Sequence, residues 1–356
     1  MFKKRTSTLL LTLTLTLAFS GCGNSTPKEK PVSTDNKLDK IVNSYIKYNN
    51  FTGTILIGKE GKILYKKAFG MADYDKKIPN TIETQFRIAS LTKEFTATGI
   101  MLLQEQGKLS TEDPLSKYIP DFKQGDKVKI HHLLTHSSGV EEYSTTDNIH
   151  LANNYCAPND IVTLIKNKAL IFEPGSKFEY NNSNYALLGY IIEKVSNMKY
   201  EDFINEHFLK PLNMTNTIYD VKNTLTTAAK GYVIEPSDSK PTAAEFRHPS
   251  FGYAAYGLHS TVEDLYKWDQ ALYSEKIIKK SSLDKMFTAY ISGYGYGWYV
   301  NKIDSSLSMY HYGLAGGYSS YFYRNINEKV TIIILSNNRN STKTEFKVDD
   351  VLKALK

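Results

Sequence analysis

β-Branched and aromatic runs stand at both ends of this chain, and helix-periodic sequence fills the space between them. Gly53-Thr-Ile-Leu-Ile-Gly58 and Lys62-Ile-Leu-Tyr-Lys-Lys-Ala-Phe69 are two β-rich runs joined by the turn-like Lys59-Glu60-Gly61, which predicts a hairpin. Far away in sequence, Tyr318–Arg324 and Val330–Ser336 repeat the pattern around a polar connection, 325–329. Between them Leu187, Leu188, Ile191, Ile192 and Val195 form one apolar helical stripe. Ser260-Thr-Val-Glu263 reads as a capping box opening a helix that buries Leu265, Trp268 and Leu272. Amphipathic helices open and close the domain, through Leu38, Ile41, Tyr45 and Ile46 and through Val348, Val351, Leu352 and Leu355. This order predicts a two-lobed α/β fold. An antiparallel sheet built from both termini, with flanking helices, packs beside an inserted, mostly helical lobe, and the cleft between them is the natural place for a site.

The first residues belong to a different chemistry. Lys3, Lys4 and Arg5 precede an apolar stretch, Leu9 to Phe19, and Ser20-Gly21-Cys22 puts small residues ahead of a cysteine. Residues 1–21 read as a lipoprotein signal peptide, with Cys22 the lipidated mature N-terminus. Residues 22–36 are polar and read as a flexible tether, leaving 37–356 as the folded domain. The expected location is extracytoplasmic, held to the cell membrane through the lipid. Losing the leader removes three positive charges from a formal +7. The remaining charges are interspersed, without a basic arm for nucleic acid. Cys156 is then the one cysteine of the domain, so no disulfide framework supports it.

Ser90-Leu-Thr-Lys93 is the chemical focus. On a helix, positions i and i+3 share a face, so the lysine amine can approach the serine hydroxyl and, if neutral, serve as its base. The spacing alone is common here, recurring at Ser25, Ser44, Ser196, Ser237 and Ser282. Context singles out Ser90. It follows Phe86-Arg-Ile-Ala89, a β-like approach, and precedes a long helical stretch, so it sits at a strand-to-helix junction. Such a junction can equally hold a plain N-cap serine.

Tyr180-Asn181-Asn182 offers a phenol that can move a proton and an amide that can orient a substrate. His311-Tyr312-Gly313 is the one His-x-Gly in the chain. Its histidine could carry positive character beside Lys93 and Tyr180 or bind a carboxylate, and its glycine lets backbone come close. His132 and His136 have a helical i, i+4 spacing, but no glutamate lies between them and no further ligands follow. No metal site is expected there. Glu263 and Asp264 read as capping and surface residues.

Taken in order, Ser90-x-x-Lys93, Tyr180-x-Asn182 and His311-x-Gly313 resemble the signature of the serine β-lactamases and penicillin-binding proteins, in particular their class C-like branch. The phrases Phe86–Lys93, His132-Leu-Leu-Thr-His-Ser-Ser-Gly139, Phe172-Glu-Pro-Gly-Ser176, Asn184–Glu193 and Tyr294-Gly-Tyr-Gly-Trp298 extend the resemblance over roughly residues 37–350. It implies acyl transfer through a covalent acyl-enzyme. Ser90 would be the nucleophile and Lys93 would help take its proton. Tyr180 would act as general base and then protonate the leaving group, with Asn182 positioning substrate and lysine. His311 would stand where the family carries its third basic residue. The backbone N–H groups of Ser90 and Leu314, beyond Gly313, would form the oxyanion hole, worth about 3 kcal/mol per donor. No metal or organic cofactor is implied.

The third motif departs from the lysine usual in class C β-lactamases. His-x-Gly looks more like certain DD-peptidases and esterases, and Tyr312 is bulkier than the Thr or Ser often found there. The expected activity is hydrolysis of D-alanyl peptide or ester bonds in a small-molecule or peptidoglycan-type substrate. A carboxylesterase, a β-lactamase and a non-catalytic wall-binding lipoprotein are the alternatives.

Overall fold

The computed structural model describes residues 36–356 apart from 223, 236, 238–239, 304–305 and 342–345. The expected leader, most of the tether and the lipidation position Cys22 lie outside the described residues. The first helix, Asn36–Asn49, begins one residue inside the stretch expected as tether.

The predicted hairpin forms as Gly53–Lys59 and Lys62–Phe69. Its two-residue turn puts both Glu60 and Gly61 at positive φ, 51° and 78°, the geometry that matches the twist of paired strands. Six antiparallel strands make the main sheet, in the order Lys62–Phe69, Gly53–Lys59, Val330–Ser336, Tyr318–Asn325, Ser306–Ala315 and Tyr299–Ile303. Gly53–Lys59 pairs residue for residue with Val330–Ser336, so sequence from both ends of the domain does meet at the centre of the sheet.

Strand alternation explains why both faces of this sheet are apolar. Ile55, Ile57, Val330, Ile332 and Ile334 bury one face against Leu38, Val42 and Val351 of the terminal helices. Leu56, Phe322, Ile333 and Leu335 turn the other way, into a core shared with the helical lobe. There Phe95 stacks on Trp268 with ring centroids 4.2 Å apart. Full burial of side chains of this size stabilises by about 1.5–3 kcal/mol each.

The helix expected around Leu187 spans Asn182–Ser196 and the one around Leu265 spans Val262–Ala271. The latter's cap lies one residue later than the capping box predicts. Thr261, not Ser260, accepts from the Asp264 N–H at 3.3 Å. Ser260 is instead spent on a two-residue strand paired with Phe86–Arg87. Asp264 is not a surface residue either. It is fully buried, accepting from Asn216 N–H and the Thr217 hydroxyl and pairing with Lys267.

Candidate active site

Ser90 occupies a short 3-10 turn, Ala89–Leu91, between the strand Phe86–Arg87 and the helix Thr92–Glu105. Ala89 sits at φ 48°, a left-handed conformation that a side chain adopts at a cost of order 1–3 kcal/mol. The bend turns the chain out of the strand and leaves Ser90 at the floor of a cleft of about 780 Å³.

Lys93 lies behind Ser90 and is sealed from solvent. Its Nζ is 3.1 Å from Ser90 Oγ, 2.9 Å from Asn182 Oδ1 and 3.0 Å from the Ala255 carbonyl. Burial pulls the amine's pKa down from 10.5 to about 7, against a smaller upward pull from the Glu142 charge. A neutral amine has two N–H bonds, which Asn182 and Ala255 can take. Its lone pair is then left for the Ser90 hydroxyl.

The Ala255 carbonyl is available because the helix Pro249–Tyr256 is kinked at Tyr253, which has φ 41° and ψ −135°. The kink presents the carbonyl of Ala254 to Thr96 Oγ1, 2.7 Å away, and that of Ala255 to Lys93. Gly189 makes room for this helix. A β-carbon there would stand 2.3 Å from Ala254 Cβ.

Tyr180 reaches the same point from the helical lobe. Lys93 Nζ lies 4.8 Å from its ring centroid. Burial raises its phenol pKa well above 10, opposed by a hydrogen bond with Ser90. The phenol is therefore held protonated, an arrangement in which Lys93 can serve as the base and Tyr180 as a proton donor. Asn182 is fixed by three contacts: its N–H donates to Glu142 Oε2 at 2.6 Å, its Nδ2 to Ser144 Oγ at 3.1 Å, and its Oδ1 accepts from Lys93.

His311 lies in the strand Ser306–Ala315 and lines the cleft, but it is not the cation that the sequence suggested. Its Nδ1 is 2.7 Å from the Tyr312 carbonyl and therefore donates. Its Nε2 accepts from the Tyr294 hydroxyl at 3.0 Å. Burial, followed by the Lys93 charge, pushes its pKa down to about 3. A buried ring with both nitrogens satisfied is neutral.

The same strand pairs with Tyr299–Ile303 only as far as Tyr310, and beyond it His311–Ala315 runs along the Ser90 turn. Gly313 is the contact point, and Leu314 returns to the cleft wall half exposed.

The structure thus gathers Ser90, Lys93, Tyr180, Asn182, His311, Gly313 and Leu314 around one point. His131, His132 and His136 do not gather. His131 is bonded through Nδ1 to the Tyr296 hydroxyl, and His132 accepts from the Lys129 N–H. His136 is buried against Tyr180 with ring centroids 4.3 Å apart. Among the described residues no group of three metal-ligating side chains forms a site. Sequence reasoning missed Glu142, Ser144, Tyr294 and the Ala255 carbonyl. Only Tyr294 carried a signal, at the head of the aromatic-glycine phrase 294–298.

The Beta-lactamase family profile matches residues 38–355. PbpX of Bacillus subtilis (strain 168), a protein named for penicillin binding, is 34% identical over 317 residues, covering 88% of this chain and 78% of its own length. An octameric penicillin-binding protein homologue from Pyrococcus abyssi superposes with a TM-score of 0.76 at 31% identity, over 85% of this chain and 73% of that one. A penicillin-binding protein from Bacillus halodurans gives a TM-score of 0.75 at 26% identity, over 89% of this chain and 98% of its own. Family profile, relatives and fold all span nearly the whole domain that surrounds Ser90, and the chain belongs to the beta-lactamase family of serine hydrolases.

Proposed function

We propose that this is a cell-envelope hydrolase that opens D-alanyl peptide or ester bonds through an acyl-enzyme on Ser90. The observation that carries the reading is the buried Lys93 amine, 3.1 Å from Ser90 Oγ and with a pKa brought to about 7. A general base works best when its pKa lies near the operating pH. Ser90 Oγ attacks the substrate carbonyl carbon as its proton passes to neutral Lys93, and the backbone N–H groups of Ser90 and Leu314 receive the oxyanion. As the tetrahedral intermediate collapses, the leaving group departs with a proton delivered through the Tyr180 phenol, which Lys93 reprotonates. Water then attacks the ester, its proton returns to Ser90, and the acid is released.

The surface location rests on the leader and on Cys22 as the lipid-bearing residue. Loss of lipid labelling and of membrane association in Cys22→Ala is its test. For the chemistry, intact-protein mass is measured after exposure to fluorophosphonate, β-lactams, D-Ala-D-Ala peptides and D-alanyl esters. A covalent adduct on the wild type that Ser90→Ala lacks is expected, and no adduct with any reagent would sink the reading.

A carboxylesterase is the second reading, favoured by Tyr312, which is 40% exposed at the cleft wall where an apolar acyl or aryl group would lie. Turnover of aryl esters without release of D-alanine separates the two.

A further inference from the structure

Tyr180 has to hold its phenol beside Ser90, yet residues 177–181 belong to no helix or strand. No regular ladder of hydrogen bonds fixes such a segment, so its backbone groups must find their partners elsewhere. His136 supplies them. Its carbonyl accepts the Glu179 N–H at 2.8 Å, and its Nδ1 accepts the Asn181 N–H at 3.2 Å. The two donors are the residues immediately before and after Tyr180. Between them the His136 ring lies against the Tyr180 ring, with centroids 4.3 Å apart and planes 34° from parallel. One residue thus grips the Tyr180 segment at three points.

His136 is itself held in place. It lies just past the short helix Ile130–Leu134, fully buried, with a left-handed φ of 54°. Asn184 Nδ2, on the helix that follows Tyr180, is 3.1 Å from Nδ1, and the Ser138 hydroxyl donates to Asn184 Oδ1, which turns the amide nitrogen toward the ring. Two donors on Nδ1 put the ring proton on Nε2. Burial, followed by the Lys93 charge, presses the pKa of the ring well below 6.5, so Nδ1 keeps its lone pair.

Nε2 is buried and has no hydrogen-bond partner among the described residues. A buried N–H without an acceptor is unfavourable in itself. A phenylalanine would fill the same space without that penalty, so packing does not account for a histidine here. What the histidine adds is the acceptor at Nδ1.

We infer that His136 is a positioning residue for Tyr180, fixing the backbone on both sides of the phenol so that its proton is aimed at the leaving group. The inference rests on the hydrolase reading, in which Tyr180 is the donor.

Two esters with the same D-alanyl acyl group and different leaving groups test it. An electron-poor aryl oxide departs without a proton, whereas an alkoxide needs one. His136→Phe keeps a ring and loses the acceptor. Its kcat/KM on the alkyl ester should fall by about tenfold or more, the scale of a misplaced catalytic group, with little change on the aryl ester. His136→Asn restores an acceptor through its amide oxygen, and asparagine tolerates a left-handed φ, so much of the lost rate on the alkyl ester should return. Equal losses on the two esters, no loss on either, or an asparagine variant no better than the phenylalanine one would overturn the assignment.

In wild type, 15N NMR of the ring reads the grip without any substitution. A proton on Nε2 and none on Nδ1 is expected, and a protonated Nδ1 overturns the inference whichever variants fold. Failure of wild type to turn over either ester falls on the hydrolase reading, and the ring tautomer then still decides whether His136 holds the Tyr180 segment.

Discussion

Gly313 lies against the carbonyl of Ile88: a β-carbon built on it would stand 2.6 Å from that oxygen and 2.9 Å from Ala89 Cβ. Ile88 and Ala89 are the two residues that bend the chain into Ser90, and the Ile88 carbonyl is already held by Ser320 Oγ at 2.7 Å. The glycine of the third motif is thus what lets the sheet edge press on the serine turn. Gly313→Ala cannot be absorbed by a flexible side chain, since backbone is in the way. Overpacking of this kind costs about 1–3 kcal/mol. The expected outcome is a lower Tm and an acylation rate down by an order of magnitude or more, because the displaced atoms carry Ser90. Unchanged acylation in a folded Gly313→Ala protein would show that the contact does not position the serine.

In the proposed mechanism Lys93 sets the pH dependence. Its pKa falls from 10.5 to about 7 by burial, so the neutral amine accumulates as pH rises through 7. Acylation should therefore climb with pH around that midpoint and be abolished in Lys93→Arg, whose guanidinium cannot lose its proton. The sign for stability follows from proton counts. Between about 7 and 10.5 the unfolded chain holds a proton at Lys93 that the folded chain has released. Stability contributed by this group thus rises with pH across that window and is missing below it. Denaturant midpoints measured from pH 6 to 10 should show this rise in wild type and not in Lys93→Met.

Much of this was legible in the sequence, and the limits have physical causes. The central strands could be read because Ile55, Leu56 and Ile57, like Ile332, Ile333 and Ile334, are apolar without interruption, as strands buried on both faces must be. Ser90 and Lys93 share a helical face, a local relation. Glu142 and Asn182 are forty residues apart, and only folding brings the carboxylate to the amide N–H, so no spacing announces it. The local pattern places the cap one residue before Thr261 because Ser260 is an equally good cap locally, and a tertiary strand pair decides between them. The third motif suggests a cation at His311 because a motif carries residue type but not burial. The hydroxyl that satisfies it comes from Tyr294, outside the strand.

That hydroxyl gives a third prediction. Burial, followed by the Lys93 charge, holds the His311 pKa at about 3 against a smaller upward pull from its bond to the Tyr312 carbonyl, so the ring stays neutral throughout the ordinary working range. An NMR titration of the ring should show no protonation between pH 5 and 8. Tyr294→Phe leaves Nε2 buried without a donor, at a cost of about 1–3 kcal/mol. The acylation midpoint near pH 7 should remain where it is, since it belongs to Lys93. A midpoint that moves with Tyr294→Phe, or a His311 ring that titrates near 6, would return the charge to the third motif.

Glu142 touches none of the reacting atoms, yet two of its effects converge on them. Oε2 accepts from the Asn182 N–H, and Oε1 accepts from both the N–H and the hydroxyl of Ser144, which in turn receives Asn182 Nδ2. It therefore holds Asn182 from two sides, and its charge raises the Lys93 pKa against the downward pull of burial. Glu142→Gln keeps an oxygen for the hydrogen bonds but removes the charge. With less to favour the ammonium form, the Lys93 midpoint should move to lower pH, and the acid limb of the acylation profile should move with it. Glu142→Ala removes the positioning as well and should also lower the plateau rate. A merely structural role would lower stability in both variants and leave the midpoint unmoved, so the pH profile of Glu142→Gln decides between positioning through charge and simple packing.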